Sequence, residues 1–303
     1  MKYLRLIRLP NLLMIALVQL LVRYGLFEPM QASLALTRLD FSLLILATVC
    51  IAAGGNIIND IYDVEIDRIN KPQRLLVGVK ITEKTATTLY FMCTVVGVAI
   101  GFYLSNRIGK PGFSALFIII AALLYLYASY LKSIVLIGNI LISILVAMSI
   151  LIVGIFDLLP TITTYNQEIH SGIFIILLQY AAFAFVINFI REIVKDLEDI
   201  NGDKNGGMNT LPIAIGRKRT ITLVFVLLLV TIVLLVIYMY NYLYSYQVAV
   251  LYFLLVVLAP LFYALVKAWT AEKQKDYAQL SSLLKGVMFT GMCSFVLYKF
   301  VIV

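Results

Sequence analysis

Long apolar stretches separated by short polar segments make up most of this chain. A helix of about 20 apolar residues crosses a hydrocarbon core of roughly 30 Å, and stretches of that length recur about nine times here. The pattern therefore predicts an all-α, polytopic membrane protein, a bundle of about nine transmembrane helices. The expected spans lie near residues 11–27, 41–62, 85–105, 112–130, 134–156, 172–190, 220–241, 246–267 and 284–303.

Composition agrees with this pattern. Of the 303 residues, 62% are hydrophobic and 13% are charged, which excludes an ordinary soluble domain. The first stretch continues into Gln19 and Arg23 without a small-residue cleavage site, so we expect a retained span rather than a signal peptide.

Basic residues indicate the orientation. With a cytoplasmic N terminus, 19 of the 24 Lys and Arg residues fall in inner segments, against Arg38, Arg107 and Lys110 outside. We therefore expect an integral protein of the cell (inner) membrane with its N terminus inside. Contact with anionic membrane lipids accounts for the net charge of +8, so no nucleic-acid partner is expected.

An acidic segment, residues 56–74, follows the second span. Read as helix, Asn59, Asp63 and Asp67 recur every fourth residue and Asp60 joins them, so one face carries an amide and three carboxylates. We call Asn59, Asp60, Asp63 and Asp67 the first acidic motif.

The same spacing returns after the sixth span. Asp196, Asp199 and Asp203, the second acidic motif, repeat the intervals between Asp60, Asp63 and Asp67. Gly202, Gly206 and Gly207 are expected to place this segment in a flexible loop. Like charges repel on one helix face, and hard divalent cations such as Mg²⁺ relieve this repulsion.

Cations lie beside both motifs. Arg68, Lys71 and Arg74 follow the first motif, where basic side chains can bind phosphate oxygens while metals bind the acids. The expected chemistry is therefore the departure of diphosphate, assisted by two Mg²⁺ ions, from an isoprenyl group held in the membrane. Aromatic faces stabilise the resulting cation, and the apolar bundle excludes water.

Other polar residues have weaker signals. Lys132 is the only charge in a short inner turn, with Tyr127 and Tyr130 before it, and Tyr180 is expected to line the cavity above the second motif. His170 is expected in a solvated outer loop. Cys50, Cys93 and Cys293, at unrelated spacings, are expected to fill the apolar core.

These motifs also resemble those of a known family. Asn59-xxx-Asp63-xxx-Asp67 and Asp199-xxx-Asp203 are similar to the two Asp-rich signatures of UbiA-type intramembrane prenyltransferases, and motif order, separation and span number agree over nearly the whole chain. Within the family, NDIYDVEIDRINKPQR and REIVKDLEDINGDKNGGMNTLPIAIGRK are most similar to geranylgeranylglyceryl phosphate geranylgeranyltransferases, also called digeranylgeranylglyceryl phosphate synthases.

The resemblance implies a fold and a function. It implies one transmembrane prenyltransferase domain over residues 1–303, with both motifs on the cytoplasmic side. The implied reaction is Mg²⁺-dependent transfer of an isoprenyl group, geranylgeranyl, from its diphosphate to a lipophilic acceptor, the hydroxyl of geranylgeranylglyceryl phosphate.

Roles follow residue by residue from the same resemblance. The implied catalytic residues are Asp63, Asp67, Asp199 and Asp203, and the implied metal ligands are Asn59, Asp63, Asp67, Asp196, Asp199 and Asp203. By the resemblance or by their places near the motifs, the residues expected to bind diphosphate or acceptor phosphate are Arg8, Asp60, Arg68, Lys71, Arg74, Lys132 and Lys195. Tyr127, Tyr130 and Tyr180 would form the aromatic pocket.

Two positions depart from the family pattern. A tyrosine often lies four residues before the inner-turn lysine, where this chain has Ala128, so the choice between Tyr127 and Tyr130 is open. Leu75 stands where the subgroup usually has proline after arginine.

Other functions stay open at this stage. Within the family, the alternative is prenylation of an aromatic quinone precursor or a tetrapyrrole. Outside it, the alternatives are a divalent-cation transporter, because intramembrane carboxylates often mark ion pathways, and a scaffold that binds prenyl lipids without turnover.

Overall fold

The computed structural model describes residues 1–70 and 72–302, with the backbone alone at 74, 301 and 302. Within this part of the chain there is no strand, only an isolated bridge between Val77 and Ile81. The same residues contain nine helical segments long and apolar enough to cross a membrane, which confirms the all-α prediction. These segments are Leu9–Phe27, Arg38–Tyr62, Glu83–Arg107, Pro111–Ser129, Ile137–Thr161, Gln167–Asn205, Arg217–Leu243, Gln247–Thr270 and Gln274–Phe300.

The α-helices are numbered in chain order. They are α1 (Lys2–Leu6), α2 (Leu9–Leu21), α3 (Arg38–Tyr62), α4 (Val64–Asn70), α5 (Glu83–Arg107), α6 (Ser114–Ser129), α7 (Ile137–Val153), α8 (Gln167–Asn205), α9 (Leu211–Ile215), α10 (Arg217–Tyr238), α11 (Gln247–Tyr252), α12 (Ala259–Thr270) and α13 (Gln274–Cys293). Segments of π-helix extend or join them at Val22–Phe27, Gly154–Leu158, Met239–Leu243, Phe253–Leu258 and Tyr298–Ile302.

Threonine caps begin two of the long helices. The Oγ1 of Thr37 accepts a hydrogen bond from the backbone N–H of Asp40 at 3.1 Å, and α3 starts at the next residue. Thr82 caps α5 in the same way through the N–H of Thr85, at 3.2 Å. Each cap satisfies a backbone donor that the first helical turn leaves without a partner.

Helix α8 is central to the bundle. It has 39 residues and packs against α7, α10 and α13, while α13 also packs against α2, so the last span contacts the first. One apolar core lies among α8 and the later helices, and a second joins the first spans to α7 and the N-terminal half of α8. A smaller cluster beside the end of α3 contains Leu6, Ile57, Leu76, Val77, Ile81 and Ala86.

Two adjacent glycines allow other helices to approach α3 just before the first acidic motif. A Cβ on Gly54 would lie 2.8 Å from Thr94 Oγ1 on α5, and one on Gly55 would lie 2.9 Å from Leu124 on α6. The lack of a side chain thus lets both neighbours pack closely at this depth, as in other membrane bundles.

The end of the bundle away from the acidic motifs holds a buried ion pair. Arg23 Nη1 lies 3.0 Å from Asp157 Oδ2, and both side chains are buried. His170 is buried at this end as well, because α8 starts at Gln167, and its Nε2 accepts a hydrogen bond from the N–H of Ser33. The prediction of a solvated loop histidine is therefore wrong.

Candidate active site

The first acidic motif bends at its centre. Helix α3 ends at Tyr62 and α4 starts at Val64, while Asp63 between them has φ −89° and ψ 1°. Backbone hydrogen bonding continues through the bend, from the N–H of Asp63 to the Asn59 carbonyl at 2.9 Å and from the N–H of Asp67 to the Asp63 carbonyl at 2.8 Å. The expected single helix is thus two helices that share a hydrogen-bond ladder.

Lysine and amide groups hold the Asp63 carboxylate. Lys132 Nζ forms an ion pair with Asp63 Oδ1, and it lies 3.4 Å from Asn59 Oδ1. Asn59 Nδ2 donates to the second Asp63 oxygen at 2.6 Å. Lys132 comes from the short turn between α6 and α7, so this turn brings a cation to the first acidic motif.

Arg8 reaches the same motif from the N-terminal arm. Its Nη2 donates to Asp60 Oδ1 at 2.7 Å, and the residue lies in the left-handed region at φ 54°, between α1 and α2. Desolvation alone would lower the pKa of Arg8, but the charge and hydrogen bond of Asp60 outweigh it, so this pKa is raised. Asn56 Nδ2 fixes the arm by donating to the Ile7 carbonyl at 2.9 Å.

Asn70 joins the two acidic motifs. Its Nδ2 donates to the Asp199 carbonyl at 2.9 Å, and its Oδ1 accepts from the Gly202 N–H at 2.8 Å. A Cβ on Gly202 would lie 2.4 Å from the Asn70 side chain. Gly202 is within α8, so the expected loop begins later, and the glycine serves close helix contact. Both motifs therefore lie at one end of the bundle.

Amide side chains line the approach to the second motif. Asn139 Nδ2 on α7 donates to Asp196 Oδ2 at 2.9 Å. Deeper in the bundle, Asn188 Nδ2 donates to Ser143 Oγ at 3.2 Å, and Ser143 in turn donates to the Asn139 carbonyl at 2.6 Å. These polar groups form a continuous buried ladder between α7 and α8.

A group of cations lies next to this ladder on α8 and α13. Lys195 Nζ lies 2.7 Å from one oxygen of the buried Glu192, and Arg191 Nη1 lies 3.3 Å from the other. Lys285 Nζ donates to Asn11 Oδ1 at 2.6 Å. Since α13 packs on both α8 and α2, Lys285 lies on a helix that neighbours the one carrying Arg191 and Lys195.

Comparison with known proteins places the chain in a family. The model of the UbiA prenyltransferase family matches residues 12–290. The chain belongs to the UbiA prenyltransferase family. Membership confirms the resemblance drawn from the two Asp-rich signatures and the class of enzyme that it implies.

Curated relatives within the family share one name. The digeranylgeranylglyceryl phosphate synthase of Sulfolobus acidocaldarius is 37% identical over 180 residues, and the match spans 59% of this chain and 59% of that protein. The synthase of Methanococcoides burtonii is 30% identical over 297 residues, 97% of this chain and 98% of that protein.

Solved UbiA-type structures share the fold. A structure from a study of digeranylgeranylglyceryl phosphate synthase in membranes matches this chain with a TM-score of 0.65 and 25% identity. The match covers 98% of this chain and 97% of that chain. A UbiA homologue from Archaeoglobus fulgidus, bound to GPP and Mg²⁺, has a TM-score of 0.60 and 15% identity, covering 97% and 99%.

Not every side chain expected at the site takes part in these contacts. Arg68 is exposed on α4 and pairs with Glu65 at 3.0 Å. Lys71 and the side chain of Arg74 lie outside the described residues. Asp67, Asp199 and Asp203 all have polar partners, and Asp203 is buried.

The three tyrosines occupy different places. Tyr127 is partly buried, packs beside Gly138 and lies within electrostatic range of Asp63 and Asp196. Tyr130 is 63% exposed. Tyr180 stacks on Phe295, with ring centroids 3.9 Å apart. Its backbone lies about 24 Å from that of Asp196 along α8, at 1.5 Å per residue. Of the two tyrosines left open for the site, the structure thus brings Tyr127 to the acids.

Sequence reasoning missed several polar residues at the site. It did not select Asn11, Asn70, Asn139, Arg191 or Lys285. A signal was present, since polar side chains inside membrane spans usually face the bundle interior or a cavity. The sequence does not show which of them converge, because that depends on how the helices rotate against each other.

The donor chemistry of the motifs fits a hard divalent cation. The predicted ligands offer carboxylate and amide oxygens, which Mg²⁺ prefers, and Asn70 joins the helices that carry them. Within residues 1–70 and 72–302, no three His, Cys, Asp or Glu side chains form a ready-made cluster. Asp60 and Asp63 are instead neutralised by Arg8 and Lys132.

Proposed function

We propose that this protein transfers a geranylgeranyl group from its diphosphate to the free hydroxyl of geranylgeranylglyceryl phosphate, with Mg²⁺ bound by the acidic motifs. The name shared by the Sulfolobus and Methanococcoides relatives supports the choice of acceptor. The homologue that binds GPP and Mg²⁺ in the same fold supports a prenyl diphosphate donor and a divalent metal.

The Asn70 bridge is the observation that carries the proposal. It ties α4 to α8, which supports a single site bordered by the acids of both motifs. Arg8 and Lys132, from separate parts of the chain, reach the same motif end. Acids for a metal and cations for phosphate oxygens thus occupy one volume, as a metal–diphosphate complex requires.

We assign the metal ligands to Asn59, Asp63, Asp67, Asp196, Asp199 and Asp203. Bound Mg²⁺ would act as a Lewis acid that stabilises the negative charge on the departing diphosphate. The cations of the chain have a complementary role. Arg8 and Lys132 would turn from Asp60 and Asp63 to diphosphate oxygens, and charge-assisted hydrogen bonds of this kind are short and strong.

The remaining parts of the site would protect and orient the reacting carbon. Tyr127 lies within electrostatic range of Asp63 and Asp196, where its ring face could stabilise an allylic cation. The apolar bundle would hold the prenyl chain and exclude water, which would otherwise capture the cation. The excess of basic residues at this end of the bundle supports a cytoplasmic position for the site.

Purified protein in lipid, with labelled geranylgeranyl diphosphate, tests the proposal. We expect product with geranylgeranylglyceryl phosphate, loss of turnover with EDTA, and recovery with added Mg²⁺. Aromatic acids and tetrapyrroles serve as competing acceptors in parallel reactions. Transfer to one of these alone would overturn the ether-lipid assignment, and metal flux in proteoliposomes without any prenyl transfer would replace it with transport.

A further inference from the structure

Three partly buried cations lie on two packed helices, and two of them pair with one buried carboxylate. Arg191 and Lys195 lie on α8, Lys285 lies on α13, and the carboxylate is that of Glu192, which Arg191 and Lys195 share at 3.3 Å and 2.7 Å. We call Arg191, Lys195 and Lys285 the interior cation cluster. With Glu192 it carries two excess positive charges.

Lys285 shows the imbalance most directly. Its hydrogen-bond partner is the neutral amide oxygen of Asn11, and among the residues that the structure describes its ammonium forms no ion pair. Arg191 is close enough to repel it electrostatically. The Nε of Arg191 is buried without a hydrogen-bond partner. Partly buried charges without counter-charges are costly, so an anion bound here would stabilise the cluster.

The excess charge matches one kind of anion. A phosphate monoester carries about −1.5 to −2 charges at neutral pH and has three strong acceptor oxygens. A metal-bound diphosphate fits less well, because Glu192 is the only carboxylate among the cluster's ion-pair partners in the described chain.

The cluster also lies at a useful depth. Lys195 lies next to Asp196, while Arg191 precedes Asp196 by five residues, which places it about 7.5 Å further from the motif end along α8. The cluster therefore extends from the second motif toward the membrane interior. A phosphate bound there would lie on the membrane side of a diphosphate held at the motifs. In the proposed reaction, lipid tails and the reacting carbon of the donor would lie on that side as well.

We propose that Arg191, Lys195 and Lys285 bind the phosphate monoester of the acceptor lipid and so select a phosphorylated acceptor. The assignment rests on the proposed function. It leaves Arg8 and Lys132 to the donor diphosphate and replaces the expectation that either one holds the acceptor. Lys195 keeps the role that the subgroup resemblance implies for it.

Steady-state kinetics of Lys285→Met test the assignment. Because a hydrogen bond to a charged group contributes about 1.5–3 kcal/mol, we expect KM for geranylgeranylglyceryl phosphate to rise about 10- to 100-fold. KM for geranylgeranyl diphosphate should stay within about twofold, and the preference over the dephosphorylated acceptor should fall by the same factor. Lys285→Arg, which keeps the charge, should restore most of the preference.

Lys267→Met is a matched control. Lys267 also donates to a neutral amide, Gln279 Oε1, at 2.7 Å, but this hydrogen bond is exposed and Lys267 is on α12. Its substitution should leave both KM values unchanged. If Lys285→Met keeps the wild-type acceptor preference, or raises KM for the donor instead, the assignment is wrong although the proposed function stands.

A binding measurement separates the assignment from turnover. Wild-type protein should bind a long-chain alkyl phosphate at least about tenfold more tightly than Lys285→Met does, and should not bind the corresponding alcohol measurably. Equal binding by the variant would overturn the assignment even if no acceptor reacts. Equally tight binding of inorganic phosphate would assign the cluster to free phosphate and not to the lipid.

Discussion

Two cation–carboxylate pairs lie at opposite ends of the bundle and differ in their hydrogen-bond partners. We call Arg23–Asp157, which is far from the acidic motifs, the outer pair. Its Asp157 accepts hydrogen bonds from Arg23 and, at 2.9 Å, from the N–H of Leu36, and its Arg23 also donates to the Leu36 carbonyl. We call Lys132–Asp63, at the acidic motifs, the inner pair. Its Asp63 accepts hydrogen bonds from Lys132 and from the Asn59 amide.

The two pairs differ in how readily their side chains can exchange each other for a ligand. The outer side chains are 6% and 0% exposed and are also bonded to backbone, which does not move without local unfolding. The inner side chains are 12% and 17% exposed, and their bonds are to other side chains, which can rotate. We infer that the outer pair serves stability and the inner pair gives way to a ligand. Four predictions test this contrast.

The largest effect is expected at the inner pair. Asp63→Asn removes the charge that would bind a cation while keeping the size of the side chain. We expect kcat to fall at least about 1,000-fold, as when a residue that stabilises transition-state charge is lost. Initial rates with labelled donor measure this. A variant that keeps a tenth of wild-type activity would show that Asp63 is dispensable.

The outer pair should show the opposite behaviour. Asp157→Asn leaves the buried Arg23 with only the more exposed Glu28, 3.9 Å from its Nε, as a counter-charge, so we expect a loss of about 3 kcal/mol in the free energy of unfolding. Activity per folded molecule should change less than about threefold. Thermal unfolding in detergent and turnover measure the two quantities.

A double variant is the control for the outer pair. Arg23→Met with Asp157→Leu removes both charges, and we expect it to be more stable than Asp157→Asn alone. Strong loss of activity in this folded variant would contradict a purely structural role for the outer pair.

Disrupting the Asn70–Gly202 contact, which joins the two motifs, should have an intermediate effect. The Cβ of Gly202→Ala would lie 2.4 Å from the Asn70 side chain and force α4 from α8. We expect kcat/KM to fall about 10- to 100-fold, since small misplacements of reacting groups are costly. Gly286→Ala is the matched control, because a Cβ there has no atom within 4 Å. Equal kcat/KM values for the two variants would show that the Asn70–Gly202 contact does not position the motifs.

The smallest effect is expected at the tyrosines. Tyr127→Phe keeps the ring and removes a hydroxyl near the acids, so we expect a loss of about two- to tenfold in kcat. Tyr130→Phe, on an exposed side chain, should change nothing. A larger loss at Tyr130 than at Tyr127 would reverse the assignment.

The spans and their order could be predicted from the sequence because the membrane sets their length. The shared i, i+3, i+7 spacing likewise identified both acidic motifs. Contacts between helices could not be predicted, since spans that are apolar on all sides have no polar face to fix their rotation. Lys285 and Asn11 are 274 residues apart, and only packing of α13 on α2 brings them together.

Local signals failed for a related reason. Gly202 resembles a loop residue until Asn70 is seen to fill the space beside it. His170 resembles a solvated residue until the N–H of Ser33 is seen to donate to it. In both cases a partner more than 100 residues away decides the structure, and a pattern of neighbours along the chain does not contain it.

The Asn11–Lys285 contact has a consequence for biogenesis. A nascent chain that emerges from the ribosome inserts its helices in order, yet this hydrogen bond needs α2 and α13 together. Until α13 has entered the bilayer, the interior cation cluster lacks one of its members. Any site that uses Lys285 can therefore form only after α13 has inserted and packed on α2.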